Sequence, residues 1–400
     1  MPQNLLEFDP FSETFFDDPY EVYADLRDNA PLYFNEQYEF YALSRYHDVV
    51  AAHGDTDRLR SSYGVTLDML MAKQQVDLNM LILMDPPRHT QQRQLVSQVF
   101  KRRNVANLEP LVTQTVIDFV DDLDGRNSFD LVADFAALFP VEVISAMLGV
   151  PKADRQLVRH RIDVSLARRP GNPGPTEEGI VASLETAEYF LELIKAKRKH
   201  PDDLIISKLI DAVIVDDDGT ERRLTDDEVA SFSLLIGAAG SETVTKLIGN
   251  GAVLFDQHRD QWRQVLEDES RIPAAVEEIL RFHPPSQYQG RFAVEDIELA
   301  AGTIPGNSPV LLLTGAATRD PRAYDKPDVF DIARGGGFTT LAFGYGSHSC
   351  LGAWLARLES RVAFMEIRRR WPNYSVDHDG LKRVNMVNVA GYSNVPVSAR

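Results

Sequence analysis

The feature that most limits what this chain can fold into is a long stretch with almost no charge. It reads SFSLLIGAAGSETVTKLIGNGAVLF at residues 231–255. Just before it, Thr225-Asp226-Asp227-Glu228 matches a helix capping box, in which the Thr and Glu side chains satisfy each other's backbone N–H groups. The stretch therefore reads as one long helix. A helix that is apolar on all sides cannot rest on a surface and lies in the middle of a large protein. The rest of the chain has to wrap around it.

The wrapping is mostly helical. The 400 residues, 44% of them hydrophobic, are enough for a large core. Length alone suggests about two to three domains. No Gly/Ser tract, charge block or internal repeat divides the sequence, so one domain over residues 1–400 is expected. Helical periodicity covers 19–29 and dominates 105–200, where RPGNPGP at 169–175 forces a loop. Asp85-Pro86-Pro87 opens a helix carrying His89, Arg93 and the run Lys101-Arg102-Arg103. Further helices are expected at about 272–283 and 351–371, the last with Leu351, Leu355, Leu358, Val362 and Met365 on one face. The Tyr- and Phe-rich 31–44, the Pro- and Asp-rich 290–340 and the end from 383 read as short strands. Asp216-Asp-Asp-Gly219 reads as a turn and is too incomplete for a calcium loop. The fold class is mainly α with a minor β portion.

Charge and cysteine usage exclude several roles. A formal net charge of -18 disfavours duplex DNA or an anionic membrane as partner. The N-terminus lacks a basic segment followed by an apolar run, so no signal peptide is expected. No stretch approaches the ~20 apolar residues of a membrane helix. The single cysteine rules out an internal disulfide and fits a reducing cytoplasm.

That cysteine carries the chemistry. Residues 343–352 read Phe-Gly-Tyr-Gly-Ser-His-Ser-Cys-Leu-Gly. Phe343 and Gly344 open a tight turn, Cys350 follows it, and a helix is expected immediately afterwards. The positive end of a helix stabilises a thiolate and lowers the cysteine pKa. A lone free cysteine is usually a small buried hydrophobe. The F-G-x-G-x-H-x-C-x-G context argues otherwise. It is no dinucleotide fingerprint, because a third glycine and a strand–helix unit with a later acid are missing.

With these residues the chain resembles a cytochrome P450 along essentially its whole length. The resemblance implies haem b between the long central helix and the cysteine-loop helix, with Cys350 as the iron ligand and Gly352 allowing close approach. It implies that His89, Arg93, Arg291 and His348 hold the haem carboxylates. Glu242-Thr243 would be the acid–alcohol pair that delivers protons during oxygen activation, beside space left by the small residues at 237–240. Val244 departs from the second hydroxyl residue that many members carry there. Glu278 and Arg281, an E-x-x-R pair that alone would be an ordinary surface ion pair, become a structural pair tied to Arg334.

The implied function is monooxygenation of a lipophilic small molecule with O2. No flavin or iron–sulfur motif is present, so electrons would come from a ferredoxin and its NAD(P)H-dependent reductase. The basic run between Arg88 and Arg103, free of Asp and Glu, would be the docking face. By position, Leu235, Ala238, Ala239, Gln287, Tyr288 and Gln289 would line the substrate pocket. A cytoplasmic monomer is expected. The alternatives are a peroxide-dependent haem-thiolate enzyme and a non-catalytic haem-binding protein, and the Glu242-Thr243 pair argues against both.

Overall fold

The computed structural model describes residues 7–215, 219–334 and 340–399. The charge-poor stretch forms the helix Asp226–Gln257. Its capping box is complete: Glu228 N–H donates to Thr225 Oγ1 at 3.2 Å, and Thr225 N–H donates to Glu228 Oε2 at 2.9 Å. Every residue from 244 to 255 is buried, as the missing charge demands. The middle of the helix differs. Leu235, Ala239 and Thr243, spaced to share one face, are not buried. A helix face left open at the centre of a large protein borders a cavity.

The space is not where the glycine suggested. A Cβ on Gly240 would lie 2.9 Å from Ile144 Cγ1, so this glycine lets the helix Phe139–Leu148 come close. The open residue is its neighbour Ala239.

Other helices wrap this axis: Arg155–Leu166, Glu177–Lys199, Ile272–Phe282 and Ala353–Arg370. In the last, Leu355, Leu358 and Val362 are buried, while Leu351 and Met365 are only half-buried. The helix Arg88–Ser97 carries His89 and Arg93 but stops short of the basic run, which opens a separate short helix, Arg102–Ala106. Pairs of short strands, Val213–Val215 with Glu221–Arg223, flank the turn expected at 216–219, whose residues 216–218 lie outside the described residues.

The largest sheet among the described residues has five strands. Its strands are β1 (Leu32–Asn35), β2 (Phe40–Leu43), β3 (Leu59–Arg60), β4 (Gln289–Ala293) and β5 (Ser308–Leu312), in the order β1-β2-β5-β4-β3. Only β2 and β5 run parallel among these pairs. Arg291 faces Val310 across β4 and β5, which brings a cation to the inside of the sheet. A second apolar core of Phe8, Phe15, Tyr23 and Phe40 packs against the sheet. Among the described residues, no helix is long and apolar enough to cross a membrane.

Candidate functional site

The cysteine loop is held by its glycines. Gly344 and Gly346 have φ of 67° and 70°, a region that L side chains rarely adopt. The turn they form lets Cys350 N–H donate to Phe343 O at 2.8 Å. Gly346 also packs on the preceding helix Tyr46–Gly54, where a Cβ would come within 2.9 Å of His53 O. Arg357 lies over the Phe343 ring at 4.5 Å and pairs with Glu277.

The Cys350 thiol is accessible yet ringed by protein atoms, as a group on the floor of a cleft is. Burial pushes its pKa up, against the pull of the Gly352 N–H, Arg93 and Arg357. This corrects the expectation of a thiol acidified by its helix. The helix begins only at Ala353, with Gly352 as its cap, and desolvation outweighs it.

Beside the cysteine lies a largely buried cluster of arginines and histidines. His89 and Arg93 share one face of their helix. The His89 ring stacks on His348 at 3.9 Å between centroids. His348 Nε2 is 3.3 Å from Ser61 Oγ, and Arg93 donates to Ser349 O at 2.5 Å. Arg291, 4% exposed, donates to Gly290 O at 2.7 Å. Both ring nitrogens of His89 are buried without a hydrogen-bond partner among the described residues.

His53 belongs to the same cluster and was not anticipated. It is 3% exposed, and its buried ring lies beside Arg291 and Gln289. The available signal was weak: His53 follows Tyr46 and Val49 on the apolar face of its helix. A histidine in such a stripe is an ordinary core residue unless tertiary neighbours say otherwise.

The electrostatics of this cluster run one way. Burial, then Arg291, lowers His53 to about 3. Burial, then Arg93, lowers His89 to about 4. Burial, then Arg291, lowers His348 to about 2, and burial alone brings Arg291 down to about 10. Asp85 is the carboxylate that offsets Arg291, and its oxygens already accept from the Ser61 and Ser62 N–H groups at 2.8 and 3.2 Å. Buried cations without an anion are costly. The donor set fits a buried group with two carboxylates next to Cys350, and those five side chains could hold it.

On the central helix, Thr243 Oγ1 donates to Ala239 O at 3.0 Å. Glu242 is buried, with Lys246 Nζ 2.9 Å from its Oε2. The loop after residue 166 is tied over the molecule by Arg168–Asp68 at 3.3 Å and by Arg168 N–H on Asn385 O at 2.8 Å. A cavity of about 680 Å³ beside β3 is lined by Arg60, Tyr63, Asp77, Leu83, Met84 and Arg88.

The expected pocket residues divide. Leu235, Ala238 and Ala239 are open to the interior. Gln289 is half-buried and accepts from Thr314 Oγ1 at 2.6 Å. Gln287 and Tyr288 are fully buried and line nothing open, contrary to expectation. Gln287 Nε2 donates to Pro284 O at 2.7 Å, and the Tyr288 ring packs 6.1 Å from Phe15 in the second apolar core.

Glu278 and Arg281 form a buried pair. Arg281 donates to both Glu278 oxygens at 2.7 and 2.8 Å, and Arg334 Nε reaches Glu278 Oε1 at 3.2 Å.

A family model described as Cytochrome P450 matches residues 271–379. The chain is 40% identical to the "Putative cytochrome P450 123" of Mycobacterium tuberculosis, over 99% of this chain and 97% of that one. It is 36% identical to the vitamin D(3) 25-hydroxylase of Pseudonocardia autotrophica, over 98% and 96%. A solved structure of a mutant of P450 EryK in complex with erythromycin B matches with a TM-score of 0.86 at 32% identity, covering 95% of each chain.

Proposed function

The chain belongs to the cytochrome P450 family of haem monooxygenases, and from that premise we propose that Cys350 is the thiolate ligand of a haem b. Phe343, Gly344 and Gly352 shape the loop around it. His89, Arg93, Arg291 and His348, together with His53, hold the two haem carboxylates. The observation that carries this reading is the cluster of two arginines and three histidines beside Cys350, where Asp85, the carboxylate that offsets Arg291, is already bonded to backbone N–H groups.

When bound, a thiolate-ligated haem supplies oxygen activation and leaves one atom of O2 in a C–H bond of the substrate and the other in water. The chain does the rest. Cys350 would hold the iron as a thiolate, and Arg93 and Arg357, which lower its pKa, would stabilise the sulfur's charge. Arg93 and Arg291 offer fixed donors that meet carboxylates well. Thr243 keeps its hydroxyl on the open helix face by donating to Ala239 O, leaving its lone pairs free for a neighbour. Glu242, one residue earlier, is the acid from which a proton reaches that face.

Leu235, Ala238 and Ala239 give the pocket an apolar wall, which suits a lipophilic substrate. The hydroxylase of vitamin D(3) among its relatives supports the same class. The partner is a ferredoxin with its NAD(P)H-dependent reductase, in the cytoplasm. Lys101, Arg102 and Arg103 are exposed, and Arg102 stands 5.1 Å over the Trp354 ring in the first turn of the cysteine-loop helix. Reversing the three to Glu should slow reduction by ferredoxin and flatten its salt dependence. Unchanged reduction kinetics would remove this face as the electron entry.

The direct test is the ferrous–CO spectrum of the purified protein. A strongly red-shifted Soret band reports thiolate ligation, and Cys350→Ala should abolish it. Retention of the band in that variant overturns the assignment.

A further inference from the structure

The cavity beside β3 lies apart from the haem pocket. No residue from the open face of the central helix lines it. It sits on the outer side of a wall whose inner side carries the arginines and histidines near Cys350. Side chains alternate along β3 and just beyond it. Leu59 and Ser61 are buried, while Arg60 and Ser62 are half-buried. Ser61 accordingly meets His348, and Arg60 and Ser62 line the cavity. Asp85 borders both sides: it lines the cavity, and it is the carboxylate that offsets Arg291. The opposite wall is fixed in two places. Val76 N–H donates to Ser62 O at 2.8 Å, and Arg88 donates to Asn79 Oδ1 at 2.6 Å.

Four charged side chains line the cavity: Arg60, Asp77, Asp85 and Arg88. Three of them are accounted for. Asp85 accepts from the Ser61 and Ser62 N–H groups. Arg88 is held by Asn79 and lies 3.6 Å from Glu228. Asp77 is exposed, where water satisfies a carboxylate. Arg60 is the exception. It is half-buried and has no hydrogen-bond or ion-pair partner among the described residues. A guanidinium drawn partly out of water offers a planar fork of donors that matches a carboxylate.

The rest of the lining selects what carries that carboxylate. Leu83 and Met84 are buried and give an apolar floor. The Tyr63 ring lies flat on Phe292, with centroids 4.1 Å apart and planes 4° from parallel, so it is a rigid wall. An inorganic anion would leave this apolar surface uncovered, whereas an organic acid would cover it. The volume of about 680 Å³ falls within the roughly 300–1,000 Å³ of small-molecule sites.

We propose that this cavity is a second ligand site that takes a lipophilic carboxylic acid. The carboxylate binds Arg60, and the apolar body lies on Tyr63, Leu83 and Met84. The site is occupied independently of the haem pocket and does not require the haem.

The test is calorimetric titration of the purified holoenzyme with phenylbutyrate, after the haem pocket has been filled with the iron ligand phenylimidazole. One equivalent of the acid should still bind. Arg60→Gln should weaken it by about ten- to a hundredfold, the worth of one charged hydrogen bond. Arg60→Lys keeps the charge without the fork and should fall between. Asp77→Asn removes a like charge and should tighten binding by about twofold. Phenylbutanamide has the same body without the charge, so the parent and Arg60→Gln should bind it alike. If phenylimidazole displaces the acid, the acid occupies the haem pocket and the proposal falls. It falls equally if Arg60→Gln binds the acid as the parent does, or if the parent shows no binding at millimolar acid. If phenylimidazole leaves the visible spectrum unchanged, the haem reading is what fails, and Arg60→Gln still decides the cavity.

Discussion

Arg281 and Arg291 are equally buried, 3% and 4% exposed, on adjoining elements of the same chain. They differ in where their anion comes from. Around Arg281 the chain provides it: both Glu278 oxygens accept from the guanidinium, and the carbonyls of Thr318 and Pro327 accept at 3.1 and 2.8 Å. Glu278 also accepts from the Asp331 N–H at 3.0 Å and from Arg334. Around Arg291 the chain provides one carbonyl, a carboxylate already bonded to backbone, and three histidines. A buried ion network in which every group is satisfied holds a fold together. A buried arginine whose nearby carboxylate is already taken by backbone N–H groups is prepared for an anion from outside. The difference separates a structural motif from a binding site without reference to the reaction.

Three experiments bear on that contrast. The largest effect should come from Glu278→Ala, which strands Arg281 in the core and takes the carboxylate from Arg334. Removing one member of a buried pair costs about 3–5 kcal/mol, a large part of a typical total. Urea unfolding should show it with or without haem. A loss below about 1 kcal/mol would mean that the pair is not structural.

Arg291→Met should behave oppositely. Removing a cation whose nearby carboxylate, Asp85, is already held by backbone N–H groups should leave the apoprotein's stability within about 1 kcal/mol, or raise it. Haem titration of the apoprotein should then show affinity lower by about ten- to a hundredfold, the worth of one charged hydrogen bond. If stability collapses and haem affinity holds, the two arginines play the same part and the contrast fails.

His283 sharpens the comparison with a smaller effect. It is buried between Arg383 and Arg319, and it escapes an unpaired charge by staying neutral. Arg383 Nη1 donates to its Nε2 at 3.0 Å, which leaves the proton on Nδ1 for the Tyr20 hydroxyl at 3.3 Å. Burial, then Arg383, lowers its pKa well below 6.5. The sign follows: below pH 6.5 the unfolded chain takes a proton that the folded chain refuses. Stability should therefore fall on acidification by about 1.4 kcal/mol per pH unit for this group. His283→Gln should remove one such slope from urea midpoints measured between pH 6.5 and 5. An unchanged slope would mean that His283 protonates in the folded state.

Much of the architecture was legible because it depends on short-range patterns. The capping box at Thr225 and the charge-poor run marked the axis of the fold, and both stand in the structure. The glycines before Cys350 marked a turn, and Gly344 and Gly346 adopt the left-handed backbone that makes it. Spacing put His89 and Arg93 on one face. Other residues could not be read this way. Ser286-Gln-Tyr-Gln289 looks polar enough to line a pocket, yet Tyr288 goes into an apolar core formed by residues near the N-terminus. His53 and Asp163 acquire their character from groups on other elements, Arg291 in one case and Glu242 in the other.

The sequence by itself determined the buried central helix, the tight loop that presents Cys350, and the supply of cations for a haem. These follow from local hydrogen bonding, periodicity and residue type. Only the tertiary structure decided which buried arginine has a full set of acceptors, that burial raises the Cys350 pKa against the pull of the Gly352 N–H, and that Asp163 meets Glu242. Desolvation and Coulomb energies depend on every neighbour at once, and no short window of sequence contains them.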